Sequence, residues 1–88
     1  EKNSSENILA VNIFPNPVTD QITIKTSKTN ISEKLKIEIK DINGRLLFID
    51  DKIENNEIKI DMKDFSPGIY FINVLGNNIN YIQKIIKE

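Results

Sequence analysis

The sequence contains no cysteine and no histidine among its 88 residues. The missing thiols exclude disulfides, thiolate metal sites and cysteine nucleophiles, and the missing imidazoles remove the commonest general base and metal ligand. No apolar run approaches the roughly 18 residues that a membrane-spanning helix needs. The carboxylate pairs Asp50 with Asp51 and Asp61 with Asp64 lack the spacing of a calcium-binding loop. We therefore expect no catalytic site, no metal, no cofactor and no direct membrane insertion.

The chain also has no excess charge of one sign, since 12 basic residues face 13 acidic ones and the net charge is −1. This balance disfavours nucleic acid as a partner. Its hydrophobic content of 39% and charged content of 28% are typical of one small folded domain with a thin core. The chain begins at Glu1 and its only methionine is Met62, so we expect a piece of a longer protein. Residues 1–7 are polar and predict a linker remnant, which leaves 8–88 as the domain.

Apolar residues alternate with charged ones at period two along most of the domain, and isoleucine is the commonest of them. This alternation predicts half-buried strands, and the β-branched bias supports strands over helices. Seven short strands at such spacing indicate an all-β sandwich or small barrel. The predicted strands are Ile8–Phe14, Gln21–Thr26, Leu35–Asp41, Arg45–Ile53, Glu57–Asp61, Ile69–Leu75 and Tyr81–Lys87.

Turn residues separate the predicted strands. Pro15 and Pro17 lack the N–H that a sheet ladder needs, so the first strand must end or run along an edge there. Asn43-Gly44 predicts a tight hairpin, because both residues tolerate a positive φ. Ser66-Pro67-Gly68 predicts a type II turn with glycine at the position that needs a positive φ.

The last two predicted strands carry apolar residues in both alternation classes, so both of their faces require cover. A central strand covered by a loop would satisfy this pattern. An exposed apolar strip, or an edge that docks a partner by strand addition, would satisfy it equally well. Weak pairing between two copies through an edge strand is a further alternative.

Four segments in order resemble the C-terminal sorting domain of cargo proteins of the type IX secretion system. They are Phe14-Pro15-Asn16-Pro17-Val18, Asp41-Ile42-Asn43-Gly44-Arg45, Phe65-Ser66-Pro67-Gly68-Ile69-Tyr70 and Lys84-Ile85-Ile86-Lys87. We refer to them as the first to fourth motifs. Each motif is short and is a weak signal by itself. The four motifs in this order, at the ends of predicted strands, are a specific combination. Phe65 stands where the family more often has leucine and Phe14 where tyrosine is common, and both keep an apolar anchor.

The resemblance implies an immunoglobulin-like sandwich of about seven antiparallel strands that acts as an address and not as an enzyme. Such a domain ends a secreted protein of Bacteroidota-type bacteria and is recognised by the outer-membrane translocon after the cargo reaches the periplasm. A sortase-like peptidase usually removes it upstream of the domain, and the cargo is then secreted or held at the cell surface. The implied partners are translocon and sortase components.

The resemblance also assigns recognition and motif residues. Gly44 and Gly68 are turn formers, and we expect Arg45 to brace the hairpin through Asp41. The last strand is the expected recognised surface, with Lys84 and Lys87 as its charged members. The full set is Pro15, Asn16, Pro17, Asp41, Gly44, Arg45, Gly68, Tyr70, Lys84, Ile85, Ile86 and Lys87.

A carbohydrate- or protein-binding sandwich module of a secreted enzyme or adhesin is the alternative function. Such a module needs exposed aromatic side chains in a cleft or on a flat face. The chain has two tyrosines and four phenylalanines, and in a core this small we expect most of them to be packing residues.

Overall fold

The computed structural model describes residues 10–27, 35–51, 56–76 and 80–88, so the predicted linker lies outside the described residues. Within these ranges the chain forms seven strands and two sheets. The three-stranded sheet has the order β1-β2-β5, and the four-stranded sheet has the order β4-β3-β6-β7. The strands are β1 Val11–Phe14, β2 Gln21–Thr26, β3 Lys36–Asp41, β4 Leu46–Asp50, β5 Glu57–Asp61, β6 Gly68–Leu75 and β7 Asn80–Lys87. The predicted all-β class and strand number are confirmed.

The two sheets bury one face each against the other, as the alternation predicts. In β3, Ile37 and Ile39 are fully buried while Lys36 and Lys40 point outward. Each fully buried isoleucine is worth about 1.5–3 kcal/mol relative to an exposed one. The buried core contains Ile13, Val18, Ile22, Ile24, Ile37, Ile39, Ile58, Ile60, Met62, Tyr70, Ile72, Val74 and Ile85.

Strand ends differ from prediction chiefly in β4, which begins at Leu46 and ends at Asp50 instead of running from Arg45 to Ile53. A register shift between Ile39 and Lys40 in β3 places an extra residue in β4. The bulge falls at Leu47, next to the first residue of β4, so it accounts for the irregular pairing at the start of that strand. The predicted end at Ile53 lies outside the described residues.

The hairpin between β3 and β4 is longer than the two-residue turn that the sequence predicted. The Gly44 N–H donates to the Asp41 carbonyl at 2.9 Å, and Gly44 has φ +84° whereas Asn43 does not have a positive φ. This is a type I turn followed by a residue in the left-handed region, the usual three-residue hairpin loop. The predicted tight hairpin at Asn43-Gly44 is present, and of the two residues only Gly44 uses the positive φ that both tolerate.

Gly68 has the expected positive φ, but at +152° it lies far from the +80° or so of a type II turn. Gly68 is already the first residue of β6 and pairs with Lys87 of β7. The predicted turn type was therefore wrong, although the requirement for glycine stands.

The segment between β1 and β2 leaves the three-stranded sheet and runs beside β7 of the other sheet. Val18 forms a parallel bridge with Lys87. Its N–H donates to the Ile86 carbonyl at 2.8 Å, and its own carbonyl accepts from the Glu88 N–H at 2.8 Å. The two proline peptide bonds of this segment, Phe14-Pro15 and Asn16-Pro17, are cis. The first strand therefore stops at Phe14, as the prolines predicted, and its continuation covers part of a second sheet's edge.

Candidate functional site

The four motifs meet at one end of the sandwich. Strand register aligns Asp41 of β3 with Tyr70 of β6, and Tyr70 with Ile85 of β7. These residues come from the second, third and fourth motifs. Asn16 of the first motif contacts the two neighbours of Ile85 from beyond the sheet edge. Residues separated by up to 70 positions along the chain thus form one continuous row.

Asn16 clamps the outer edge of β7 with both ends of its side-chain amide. Its Nδ2 donates to the Lys84 carbonyl at 3.1 Å, and its Oδ1 accepts from the Ile86 N–H at 3.0 Å. A carboxamide carries a donor and an acceptor side by side, so it substitutes for one peptide unit of a neighbouring strand. Together with the two backbone bonds of Val18, it occupies the edge from Lys84 to Glu88.

Asp41 organises the hairpin of the second motif. Its Oδ1 accepts from the Asn43 and Arg45 backbone N–H groups at 2.9 Å each, and Arg45 Nε lies 3.2 Å from its Oδ2. The hydrogen bond from the Arg45 N–H is the largest effect that lowers the pKa of Asp41 below its ordinary 3.8. Desolvation opposes the shift, while Asn43 and the guanidinium add to it. The predicted brace between Arg45 and Asp41 is therefore present.

Tyr70 ties the third motif to the start of β6. Its hydroxyl donates to the Ser66 carbonyl at 2.6 Å, four residues upstream. Its ring meets Phe65 edge-on, with centroids 5.4 Å apart at 77°. A tyrosine at this corner that bonds back to the preceding loop is a known hallmark of immunoglobulin-type sandwiches. Phe65 thus serves as the apolar anchor that the sequence predicted for it.

The fourth motif divides into two buried and two exposed residues. Ile85 is fully buried in the core, and Lys87 is 7% exposed, with its Nζ donating to the Glu88 carbonyl at 3.0 Å. Lys84 and Ile86 point outward and are exposed. The expectation that Lys87 is a charged member of an accessible surface was wrong, because period two turns its side chain toward the core side with Ile85.

The outer face of β6 and β7 is more apolar than a solvated sheet face normally is. Ile82 is 57% exposed and Ile86 is 42% exposed, and Ile69 lies directly opposite Ile86. Half-buried Phe71 lies opposite Lys84 between them. We call these five residues the β6–β7 patch. β6 is a central strand and β7 is an edge strand of the four-stranded sheet. Docking of a partner on this surface stays a prediction.

A shallow cleft at the motif end is lined by side chains of the second and third motifs, including Asp41, Arg45, Phe65 and Tyr70. Within the described ranges no three side chains of the metal-ligating types converge. The Asp61 carboxylate accepts from the Lys63 N–H at 2.9 Å, as a turn residue does. The cleft therefore supplies polar contacts and an aromatic wall but no group activated for catalysis.

Aromatic side chains do not form an exposed platform. Phe14 is the one aromatic residue among the exposed large hydrophobic side chains, Tyr70 is buried, and the other four are half-buried. Sugar-binding modules of the sandwich type present several rings on one accessible face. The described residues also contain no helix that is long and apolar enough to cross a membrane.

A profile of the secretion system C-terminal sorting domain family matches residues 12–88. The chain belongs to this family. The sorting domain carries the address of type IX secretion cargo, so a protein that bears it is marked for export to the cell surface or the medium. The family is defined as a sorting domain of secreted proteins.

Two curated relatives are enzymes of Bacteroidota. The sorting domain is 38% identical over 84 residues to an ulvan lyase from Nonlabens ulvanivorans, covering 93% of this chain and 15% of the lyase. It is 26% identical over 92 residues to karilysin from Tannerella forsythia, covering 96% of this chain and 20% of that protein. The chain thus spans less than a quarter of either relative.

A solved structure supports the fold. A DUF3244 family protein from Bacteroides vulgatus with an immunoglobulin-like β-sandwich fold superposes with a TM-score of 0.71. The superposition covers 92% of this chain and 95% of the other at 18% identity. The predicted immunoglobulin-like architecture is confirmed.

Sequence reasoning missed the contact between the first and fourth motifs. Asn16 was expected as a recognition or motif residue without a contact to β7, and Val18 was named only as the last residue of the first motif. Both hold the edge of β7, which lies about 70 residues away in the chain. A lone asparagine between two prolines gives no signal of its partner, because a long-range pairing leaves no local periodicity.

Proposed function

We propose that this domain is the C-terminal export signal of a larger cargo protein. The outer-membrane translocon of the type IX system recognises it at the end of the sandwich where the four motifs meet, beside β7. Transit through the periplasm precedes this step. The domain itself performs no catalysis, and whatever activity the parent protein has resides outside it.

The convergence of all four motifs on one end of the sandwich carries this proposal. Asp41, Tyr70 and Ile85 form a single row, and Asn16 completes it from the edge. Motif residues that only stabilised separate turns would have no reason to share one end. Their common position is what a recognition element requires, because a partner must contact several of them at once or rely on the shape they fix.

We further propose that a sortase-like peptidase cuts the chain upstream of the folded domain. A protease needs an accessible, extended substrate, and the polar composition of segment 2–7 is the reason for placing the cut there. The first motif is a poor substrate, because residues 15–18 pair with β7 and Val18 is fully buried.

A reporter fusion tests the export role. Residues 1–88 are attached to the C-terminus of a fluorescent protein with its own signal peptide, and the fusion is expressed in a type IX-competent bacterium and in a translocon-deficient strain. We expect the reporter at the surface or in the medium only in the competent strain. Periplasmic retention in both strains would contradict the proposal.

Deleting residues 84–88 is not a suitable test of recognition. Ile85 is fully buried, and the backbone of Lys84–Glu88 bonds to Asn16 and Val18. The deletion would remove part of the core and the sheet edge together. Point substitutions on outward side chains separate recognition from folding.

A further inference from the structure

We propose that the partner reads β7 through its outward side chains, the β6–β7 patch, and not by adding a strand to its edge, and that the partner places a carboxylate among apolar side chains there. This inference rests on the proposed export function and names the surface and chemistry of that recognition. The patch consists of Ile69, Phe71, Ile82, Lys84 and Ile86.

The edge of β7 is already occupied where the fourth motif lies. Asn16 bonds the Lys84 carbonyl and the Ile86 N–H, and Val18 bonds the Ile86 carbonyl and the Glu88 N–H. Strand addition needs these same backbone groups free. A partner that used the edge would have to break four hydrogen bonds and pull fully buried Val18 out of the core.

The outer face of β6 and β7 is exposed, and it carries several apolar side chains. Ile82 and Ile86 alternate with Lys84 along β7, and Ile69 extends the patch onto β6. Three exposed isoleucines on one face cost solvation free energy in the isolated domain, at about 25 cal/mol for each Å² of apolar surface left in water. Ile69 and Ile86 are direct neighbours, and Lys84 and Phe71 separate them from Ile82. Contiguous exposed apolar side chains on a small domain indicate a contact surface.

Charge selects the chemistry of the partner. The outer face of the four-stranded sheet carries Lys36, Lys40 and Lys84 against the single carboxylate Glu38. Lys36 and Lys40 each lie 3.7 Å from Glu38. Lys84 makes no ion pair within the described part of the chain, and it lies in the middle of the patch. An acidic side chain on the partner would form an ion pair with the Lys84 ammonium in a contact that excludes water.

A protein surface fits these features better than an anionic membrane does. A membrane-binding face needs several cations around a large apolar area, whereas here one unpaired lysine lies within a patch of four apolar residues. The patch is also bounded on its β3 side by the ion-paired charges of Lys36, Glu38 and Lys40. We therefore commit to a protein partner.

Matched charge reversals in the reporter fusion test the inference. Lys84→Glu is compared with Lys59→Glu, which makes the same change on the outer face of the three-stranded sheet. We expect Lys84→Glu to reduce surface delivery at least tenfold and Lys59→Glu to leave it within twofold of wild type. Lys84→Arg keeps the charge and should retain delivery. Melting temperatures of the purified domains verify that all three variants fold.

Apolar truncations test the remainder of the patch. Ile82→Thr and Ile86→Thr keep β-branched side chains, so both should fold, and each should lower delivery at least threefold. The inference is wrong, while the export function stands, if the wild-type fusion is delivered and a Lys84→Glu fusion that folds is delivered equally well. If wild type is itself retained, the export function fails. Lys84-dependent binding of the free domain to phosphatidylglycerol vesicles would also overturn the proposal of a protein partner.

Discussion

The two sheets of this sorting domain present different outer faces to solvent. On the three-stranded sheet the outward positions of β2 and β5 are polar or charged, and Lys25, Lys59 and Asp61 are exposed. On the four-stranded sheet the outward positions of β7 are Ile82, Lys84 and Ile86. The outward positions of β7 therefore carry exposed apolar side chains where β2 and β5 carry polar ones. We propose that contact with a partner is the reason for this difference.

The largest expected difference in stability is between substitutions at two neighbouring residues of β7 whose side chains lie on opposite faces of the sheet. Ile85→Ala removes a fully buried side chain and should destabilise the domain by about 2–5 kcal/mol. The next residue, Ile86, is 42% exposed, so Ile86→Ala should lower the free energy of unfolding by well under half as much. Urea denaturation of the two variants measures the contrast. Equal losses would show that Ile86 is structural and would weaken its assignment to the recognition patch.

Gly68 begins the strand that presents Ile69 to the outer face. Gly68→Val should destabilise the domain by about 1–3 kcal/mol, because φ +152° is strained for a β-branched residue. A Cβ at this position would meet no atom within 4 Å, so the cost is conformational and not steric. The melting temperature measures it. An unchanged value would mean that β6 starts with a different backbone conformation.

Asn16 closes the edge beside the patch, and Asn12 is an exposed asparagine on the outer face of the other sheet. Asn16→Ala should cost about 1 kcal/mol, because two exposed hydrogen bonds are lost. Asn12→Ala should stay within about 0.5 kcal/mol of wild type. Faster amide exchange at Ile86 only in Asn16→Ala would verify the clamp. The same exchange rate in both variants would contradict it.

Substitution of Asp41 gives the smallest expected change in stability, and that change depends on pH. Its pKa is lowered on folding, chiefly by the Arg45 backbone N–H, so the stabilisation is present above the unfolded value near 3.8 and is lost as pH falls through the folded value. Asp41→Asn should therefore be less stable than wild type at pH 7, and the two should converge at the acid end. Thermal melts from pH 7 to pH 2 measure this. A constant gap across the range would mean that the carboxylate charge does not matter.

Much of the fold could be predicted from the sequence because its strands alternate cleanly. Gln21–Thr26 and Glu57–Asp61 coincide with the predicted strands, since each has isoleucine at every second position between polar residues. The pattern also located Tyr70 and Gly68 beside a turn. Prediction failed where geometry depends on distant partners. The Asn16 clamp follows from sheet assembly, which no local window contains. Burial of Lys87 follows from period two with Ile85, and the prediction missed it because a lysine is normally exposed.

Site-specific photo-crosslinking tests the central claim most directly. A benzophenone side chain replaces Ile82 or Lys59 of the reporter fusion, so that the Lys84 ammonium is kept, and cells are irradiated while export is in progress. The account predicts a crosslink to a type IX secretion component from position 82, on the four-stranded sheet, and none from position 59. Crosslinks to that machinery from position 59 alone, or from neither position in cells that deliver both fusions, would contradict it.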